Sequence, residues 1–302
     1  MICHYYCPIC IMNENALCWI NGTIKPARDV SISVFDHGLL YGDGVFEGLR
    51  FYHGKTFMLE AHLKRLQTSA DGIALELPCS LEQIAEAIDA LITAYAGDSG
   101  YLRLVVTRGA GSLGIDPRKC ARPNLFIIAD EVTVMDVTDP AHGVSLHVAR
   151  TPRTPAQCLD PKVKSLNYLN NILARIEANR AGCDEALMLN LDGNVCEGSV
   201  DNVFIVAGGV LKTPPLTDGM LEGITRAVII DVAAKAGIAC EQISLRVSDL
   251  QRADECFLTG TGAELIPVRT IDGQLLPVTR TPLLPVIMQG FRDSIAEYCT
   301  RR

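Results

Sequence analysis

Apolar and polar positions change period several times along the chain, and each change marks an element. Asn21-Gly22 sits between the apolar runs of Ala16-Leu-Cys-Trp-Ile-Asn-Gly-Thr-Ile24 and predicts a tight hairpin. A second strand is expected from about Gly44 to Tyr52, with His53-Gly54-Lys55 turning it into Thr56-Phe57-Met58. The period then lengthens: Leu59, Leu63, Leu66 and Ala70 recur at helical spacing, with Arg65 at the edge of that stripe. Ser80 can cap a further helix, Gln83 reaching back to complete a capping box, and Leu81, Ile84, Ile88, Leu91 and Ile92 form its buried face. Alternating strands at Tyr101–Thr107 and Asn124–Ala129 complete a mixed α+β first half.

From Asp130 to Gly143 periodicity fails among acids, a Pro and a Gly, as expected of an interdomain linker. Beyond it the pattern predicts a strand at Val144–Arg150, then a helix at Ser165–Ala181 closed by Gly182. Strands at Ala186–Leu191 and Asn202–Val206 follow, then a helix at Thr225–Ala236 closed by Gly237 and a terminal helix from about Leu283 to Tyr298. The expected fold class is α/β: an extension (1–15), a small α+β domain (16–130), a linker (131–143) and a larger mixed α/β domain (144–302).

The 302 residues are 48% hydrophobic and 21% charged, the balance of a folded chain. A formal net charge of −8 repels phosphate backbones and argues against nucleic-acid binding, while leaving single cations free to hold a small anion. No apolar run approaches the about 18–20 residues of a membrane span. The first residues lack the basic and apolar regions of a signal peptide, so a cytoplasmic protein is expected. The 12 cysteines are read mostly as reduced, small hydrophobes. Cys3, His4, Cys7 and Cys10 cluster at the start, but no second pair follows Cys7-Pro-Ile-Cys10 to complete a zinc site, and no metal is expected.

Gly109-Ala-Gly111-Ser-Leu-Gly114 fits a dinucleotide fingerprint, yet Ile115-Asp-Pro-Arg118 follows without the apolar periodicity of the helix on which a pyrophosphate rests. These glycines are read as a bent loop near a ligand or another chain. Leu221-Glu-Gly-Ile-Thr-Arg226 is better placed, since a glycine there precedes an amphipathic helix whose free N–H groups suit a phosphate. Leu258-Thr-Gly-Thr-Gly-Ala263 offers a second small-residue loop, and Arg65 a planar fork for the same anion. Lys164 ahead of an apolar helix, with Glu197 before a β-branched strand, supplies what pyridoxal phosphate needs: an amine for its aldehyde and a counter-ion for its ring nitrogen. Lys162 competes, because residues two apart on a strand share a face. Burial that deprotonates an amine favours Lys164, nearer the apolar helix.

These segments resemble the fold-type IV pyridoxal-phosphate enzymes, in order and over nearly all of the folded chain. The resemblance rests on Val34-Phe-Asp-His-Gly-Leu-Leu-Tyr-Gly-Asp-Gly-Val-Phe-Glu-Gly-Leu-Arg50, His62-Leu-Lys-Arg-Leu66, Lys164-Ser-Leu-Asn-Tyr-Leu169, Glu197-Gly-Ser-Val-Asp-Asn-Val-Phe204, Gly223-Ile-Thr-Arg226 and Gly260-Thr-Gly-Ala-Glu264. The branched-chain amino-acid aminotransferases are the most similar branch, through Tyr41, Phe46-Glu-Gly48 and Tyr101-Leu-Arg103. The resemblance implies pyridoxal 5'-phosphate as cofactor, Lys164 as its covalent anchor and proton carrier, Glu197 on the ring nitrogen and Tyr168 on the ring oxygen. It places Arg65, Ile224, Thr225 and Thr261 on the phosphate and Leu221 on a ring face. For the substrate it implies an apolar pocket of Tyr41, Phe46 and Gly48, with Tyr101, Arg103, Gly262 and Ala263 receiving carboxylates. Arg103 is the candidate for recognising both glutamate and a hydrophobic amino acid in one site. The expected reaction moves the amino group of Leu, Ile or Val to 2-oxoglutarate in a homodimer or larger homo-oligomer, a neighbouring subunit lending a loop. The sister activities are D-amino-acid transamination and aminodeoxychorismate lysis. Two departures bear on substrate range: Gly-Thr-Gly replaces the commoner Gly-Thr-Ala, and the linker lacks a pocket-covering tyrosine.

Overall fold

The computed structural model describes residues 13–131, 143–277 and 282–300. The cysteine cluster at 3–10 and nearly all of the expected linker lie outside them.

A first sheet of six strands has the order β2-β1-β6-β5-β3-β4. Its members are β1 (Leu17–Ile20), β2 (Thr23–Pro26), β3 (Gly44–Tyr52), β4 (Lys55–Thr56), β5 (Ser99–Thr107) and β6 (Asn124–Asp130). Asn21 and Gly22 both take positive φ between β1 and β2, the conformation a two-residue hairpin demands. Helices α1 (His37–Tyr41), α2 (Leu59–Gly72) and α3 (Leu81–Tyr95) accompany this sheet, and the Ser80–Gln83 capping box opens α3 as the pattern predicts. Leu63, Leu66 and Ala70 of α2 and Ile84, Ile88 and Leu91 of α3 bury themselves against Leu49, Leu102, Leu104 and Ile127. Full burial of each such side chain contributes roughly 1.5–3 kcal/mol.

The second sheet follows β12-β11-β10-β13-β14-β7-β8-β9, with β15 (Gln274–Leu275) pairing β14. These are β7 (Val144–Val148), β8 (Glu185–Leu189), β9 (Val195–Gly198), β10 (Asn202–Ala207), β11 (Val210–Thr213), β12 (Cys240–Gln242), β13 (Glu255–Gly260) and β14 (Glu264–Ile271). Around it lie α4 (Leu169–Arg180), α5 (Ile224–Lys235), α6 (Val247–Gln251) and α7 (Leu284–Thr300). The halves share one cluster, in which Phe57 packs edge-on against Phe291 and Tyr298 of α7.

Lys164 does not enter a helix directly, as the pattern suggested. The Phe46 N–H donates to the Lys164 carbonyl at 3.0 Å and the Leu166 N–H donates to the Gly44 carbonyl at 2.9 Å. Residues 164–166 thus pair with β3, and α4 starts only at Leu169. Pairing across the two halves outweighs local helical preference here. Glu197, expected ahead of a strand, is itself within strand β9.

Candidate active site

Between the sheets lies a cavity of about 610 Å³, walled by β3 and β5, the 164–168 segment, the start of α5 and the β13–β14 loop. A smaller recess adjoins it, sharing Lys164, Tyr168 and Leu221 and adding Glu197 and Arg153.

Lys164 opens onto this cavity, whereas Lys162 is exposed. The Lys164 backbone N–H donates to the Ser69 hydroxyl at 3.0 Å, tying the segment to α2. Its Nζ donates to the Tyr168 Oη at 3.2 Å and lies 4.5 Å from the Phe46 ring centroid. Burial, assisted by the Arg65 cation, brings the Lys164 amine down to about 8. Burial pushes the Tyr168 hydroxyl up to about 12, so it stays protonated at neutral pH.

Glu197 is buried and held from both oxygens. Arg153 Nε donates to Oε1 at 2.7 Å, and the Leu221 N–H donates to Oε2 at 3.0 Å. Arg153 sits in the proline-flanked segment Thr151-Pro-Arg-Thr-Pro155, where no periodicity or motif announces it.

At the opposite end, α5 begins at Gly223 without a side-chain cap, which leaves the N–H groups of its first turn pointing outward. A Cβ on Gly223 would lie 1.9 Å from Asn202 Oδ1, so only glycine allows this approach. Asn202 Nδ2 donates to the Leu221 carbonyl at 3.0 Å, fixing the turn ahead of the helix. Arg65 reaches the same end. Its Nε and Nη2 donate to Oε1 and Oε2 of Glu47 at 2.7 and 2.8 Å, and Nη1 donates to the Glu222 carbonyl at 2.8 Å. His62 Nδ1 shares Glu47 Oε2 at 2.8 Å. Burial opposes ionisation of Glu47, but the Arg65 charge and its hydrogen bonds hold the carboxyl down to about 2. An acid inside the apolar strand run Val45–Leu49 was the readable sign of this network.

On the remaining wall, Arg103 stacks its guanidinium 4.5 Å from the Phe46 centroid and 5.6 Å from that of Tyr101. Gly48 lies beneath Tyr101, where a Cβ would come 2.1 Å from the hydroxyl. Thr261, Gly262 and Ala263 complete this side, and Val105, Leu166, Ile172 and Val200 add apolar surface. Of the residues singled out in the sequence, Arg65, Tyr168, Leu221, Ile224, Thr225, Thr261, Phe46, Gly48, Tyr101, Arg103, Gly262 and Ala263 meet around this cavity, and Glu197 in its recess. Tyr41 stands apart. It lies on α1, and its hydroxyl accepts from the Gly114 N–H at 2.9 Å.

The profile of amino-transferase class IV matches residues 44–271. The chain belongs to the class IV amino-transferases. A Methanocaldococcus jannaschii protein, provisionally named a branched-chain-amino-acid aminotransferase, is 46% identical over 258 residues, spanning 85% of this chain and 88% of its own. The D-alanine aminotransferase of Listeria monocytogenes is 34% identical over 283 residues, covering 93% and 96%. The crystal structure of the branched-chain aminotransferase from Thermoproteus uzoniensis with norvaline superposes with a TM-score of 0.86 at 34% identity, covering 93% of this chain and 95% of that one. As a fold-type IV transaminase the chain is a pyridoxal-phosphate-dependent enzyme, and its fold is that of this family.

Proposed function

We propose that this transaminase moves the amino group of leucine, isoleucine or valine to 2-oxoglutarate, with the cavity between the sheets holding pyridoxal 5'-phosphate. The donor set fits that cofactor. A buried amine of lowered proton affinity faces the cavity, a doubly held carboxylate flanks it, and a helix N-terminus with a guanidinium stands at the far end. Bound there, the cofactor supplies an aldehyde that condenses with amines and a pyridinium ring that delocalises the electron pair left when a Cα proton departs.

The protein's own residues do the rest. Lys164 would anchor the aldehyde and, as a free amine, would carry a proton between Cα and the cofactor's C4′. Glu197, clamped by Arg153 and Leu221, keeps the ring nitrogen protonated, and Tyr168 orients the ring oxygen. Arg65 has five N–H groups and uses three of them on Glu47 and Glu222, which leaves one on each terminal nitrogen for a phosphate oxygen. Ile224, Thr225 and Thr261 join it there, and Leu221 covers one ring face.

The observation that carries the substrate assignment is Arg103 stacked on Phe46. A cation held over an aromatic ring leaves apolar surface for an aliphatic side chain, yet offers N–H groups to the side-chain carboxylate of glutamate. Tyr101, Gly262 and Ala263 are placed to receive carboxylates. The archaeal relatives named as branched-chain aminotransferases support the same substrate class.

A homodimer completes the site in this reading. Gly111 N–H to the Phe35 carbonyl at 3.1 Å and Gly114 N–H to Tyr41 fasten the 111–114 loop to the α1 region. Asn167 Nδ2 to the Gly42 carbonyl at 3.0 Å links α1 to the start of α4. Along this ridge Leu39, Leu113, Ile115, Leu169 and Leu173 are exposed, an apolar face suited to an isologous contact. Such a contact carries Tyr41 toward the partner's cavity. Among the described residues no helix is long and apolar enough to cross a membrane.

The test is spectroscopic. L-leucine should bleach the absorption of the bound cofactor and 2-oxoglutarate restore it. A response to D-alanine alone reassigns the chain to the D-amino-acid branch, and a colourless protein removes the cofactor assignment.

A further inference from the structure

Three buried acids converge behind the cavity, and they are not treated alike. Glu197 is held by Arg153 and the Leu221 N–H. Glu185 Oε2 accepts from Arg175 Nη1 at 2.7 Å, and its Oε1 accepts from the backbone of Ala186 and Ser199. Asp201 is 7% exposed and lines the cavity, yet among the described residues its carboxyl accepts no hydrogen bond and pairs with no cation. Buried polar groups are rarely left unmatched, and burial without a partner disfavours the charged form of a carboxyl.

Its position is built rather than accidental. Asn202 on β10 pairs with Thr259 on β13, which sets Asp201 beside Gly260. A Cβ on Gly260 would lie 2.2 Å from Asp201 Oδ1, so the glycine is what makes room for the acid. The groups that face it are Glu185 from β8, Glu197 from β9, Arg175 from α4 and Lys164 from the segment paired with β3. Burial, followed by the two neighbouring carboxylates, pushes the Asp201 acid up to about 7. Arg65, Arg103, Thr225 and Thr261 line the same cavity and are donors that suit anions. An ionised Asp201 would repel the ligand they gather, whereas a protonated one would add a donor.

We propose that Asp201 stands in the cavity wall as a neutral carboxylic acid and donates a hydrogen bond to an anionic oxygen of the bound ligand, phosphate or carboxylate. This rests on the cavity binding the cofactor and amino acid described above. Asp201 is thus a binding residue whose contact is lost as pH rises and the acid ionises. An asparagine there is isosteric, stays neutral and keeps a donor.

Two measurements test this. In difference infrared spectra of the purified protein at pH 6.5, wild type minus Asp201→Asn should show the C=O stretch of a buried carboxylic acid. Affinities are then compared at pH 6 and pH 8.5. In one arm the loaded enzyme binds 4-methylpentanoate, a carboxylate without an amine. In the other the full chain binds pyridoxal phosphate or pyridoxal. The titration of Lys164 is common to both proteins, so the difference between them isolates Asp201. Wild type should lose about tenfold more affinity than Asp201→Asn over this range in the arm whose anion touches Asp201. The carboxylate arm and the phosphate-dependent arm identify which oxygen that is. Absence of the infrared band, or equal pH dependence in both arms, overturns the proposal. Should Asp201→Asn fail to fold, Asp201→Ser carries the same comparison. An infrared band without any leucine turnover would instead remove the substrate assignment and leave Asp201 standing.

Discussion

Arg65 and Glu47 are joined along a full edge, two parallel N–H···O bonds of 2.7 and 2.8 Å, so the cation that faces the cavity arrives there already neutralised and immobilised. Glu47→Gln keeps the shape but removes one charged acceptor and lets the guanidinium turn. A charge-assisted hydrogen bond contributes about 1.5–3 kcal/mol, so pyridoxal phosphate should bind roughly tenfold or more weakly, as read by absorbance titration. Pyridoxal, which lacks the phosphate, should lose much less. Tighter binding of pyridoxal phosphate would mean that the negative charge of Glu47, not the geometry it imposes on Arg65, governs the anion.

Lys164 should react with the cofactor as a free amine. Its proton affinity is lowered to about 8, so below that pH most of it is ammonium and each unit of acidity costs about tenfold in free amine. Covalent attachment, followed by rapid-quench borohydride trapping and mass spectrometry, should accelerate from pH 6 to 8 and level off above. Lys164→Ala should abolish the trapped adduct. Attachment lost in Lys162→Ala and kept in Lys164→Ala would exchange their roles.

Arg103→Gln should separate the two substrates. It removes the cation that answers the second carboxylate of glutamate or 2-oxoglutarate while leaving the apolar wall of Phe46. KM for 2-oxoglutarate should rise about tenfold or more, with leucine affected several-fold less. Equal losses on both would place Arg103 at the α-carboxylate common to them. The same variant removes one of the cations that depress Lys164, so the attachment midpoint should move to higher pH.

Gly48→Ala adds a methyl group 2.1 Å from the Tyr101 hydroxyl, so the tyrosine must swing away. Overpacking of this kind costs about 1–3 kcal/mol. The expected outcome is a loss of about tenfold or more in kcat/KM for leucine, with cofactor affinity little changed. Unaltered leucine kinetics would exclude Tyr101 from the substrate wall.

Ile115 is 82% exposed and belongs to the apolar ridge with Leu39 and Leu169. If the proposed homodimer forms through this ridge, Ile115→Asp should shift it toward monomer in sedimentation velocity and reduce turnover with it. A dimer unaffected at micromolar concentration would place the interface elsewhere.

Where local chemistry decides a structure, the sequence was legible. Asn21-Gly22 needs positive φ and makes its hairpin, and Ser80 with Gln83 starts α3 because both partners of the capping box lie within one turn. The uncapped start of α5 was readable for the same reason, since a glycine ahead of an apolar helix is a local signal. Residues 164–168 misled because their partner, β3, is more than a hundred positions away and supplies hydrogen bonds that no window of the sequence contains. Arg153 and Asp201 were silent for a related reason. The one matters through a carboxylate 44 residues on, the other through acids of two further strands, β8 and β9, that the fold brings beside it.

The pairing of residues 164–166 with β3 has a mechanical consequence. It makes the reactive amine a passenger of the strand that carries Phe46 and Gly48, although its chain continues into the second half of the molecule. The proposed phosphate site, apart from Arg65, is built on that second half, from α5 and the β13–β14 loop. A small rotation between the halves would therefore keep the amine in register with the proposed substrate wall while moving it against the proposed phosphate site.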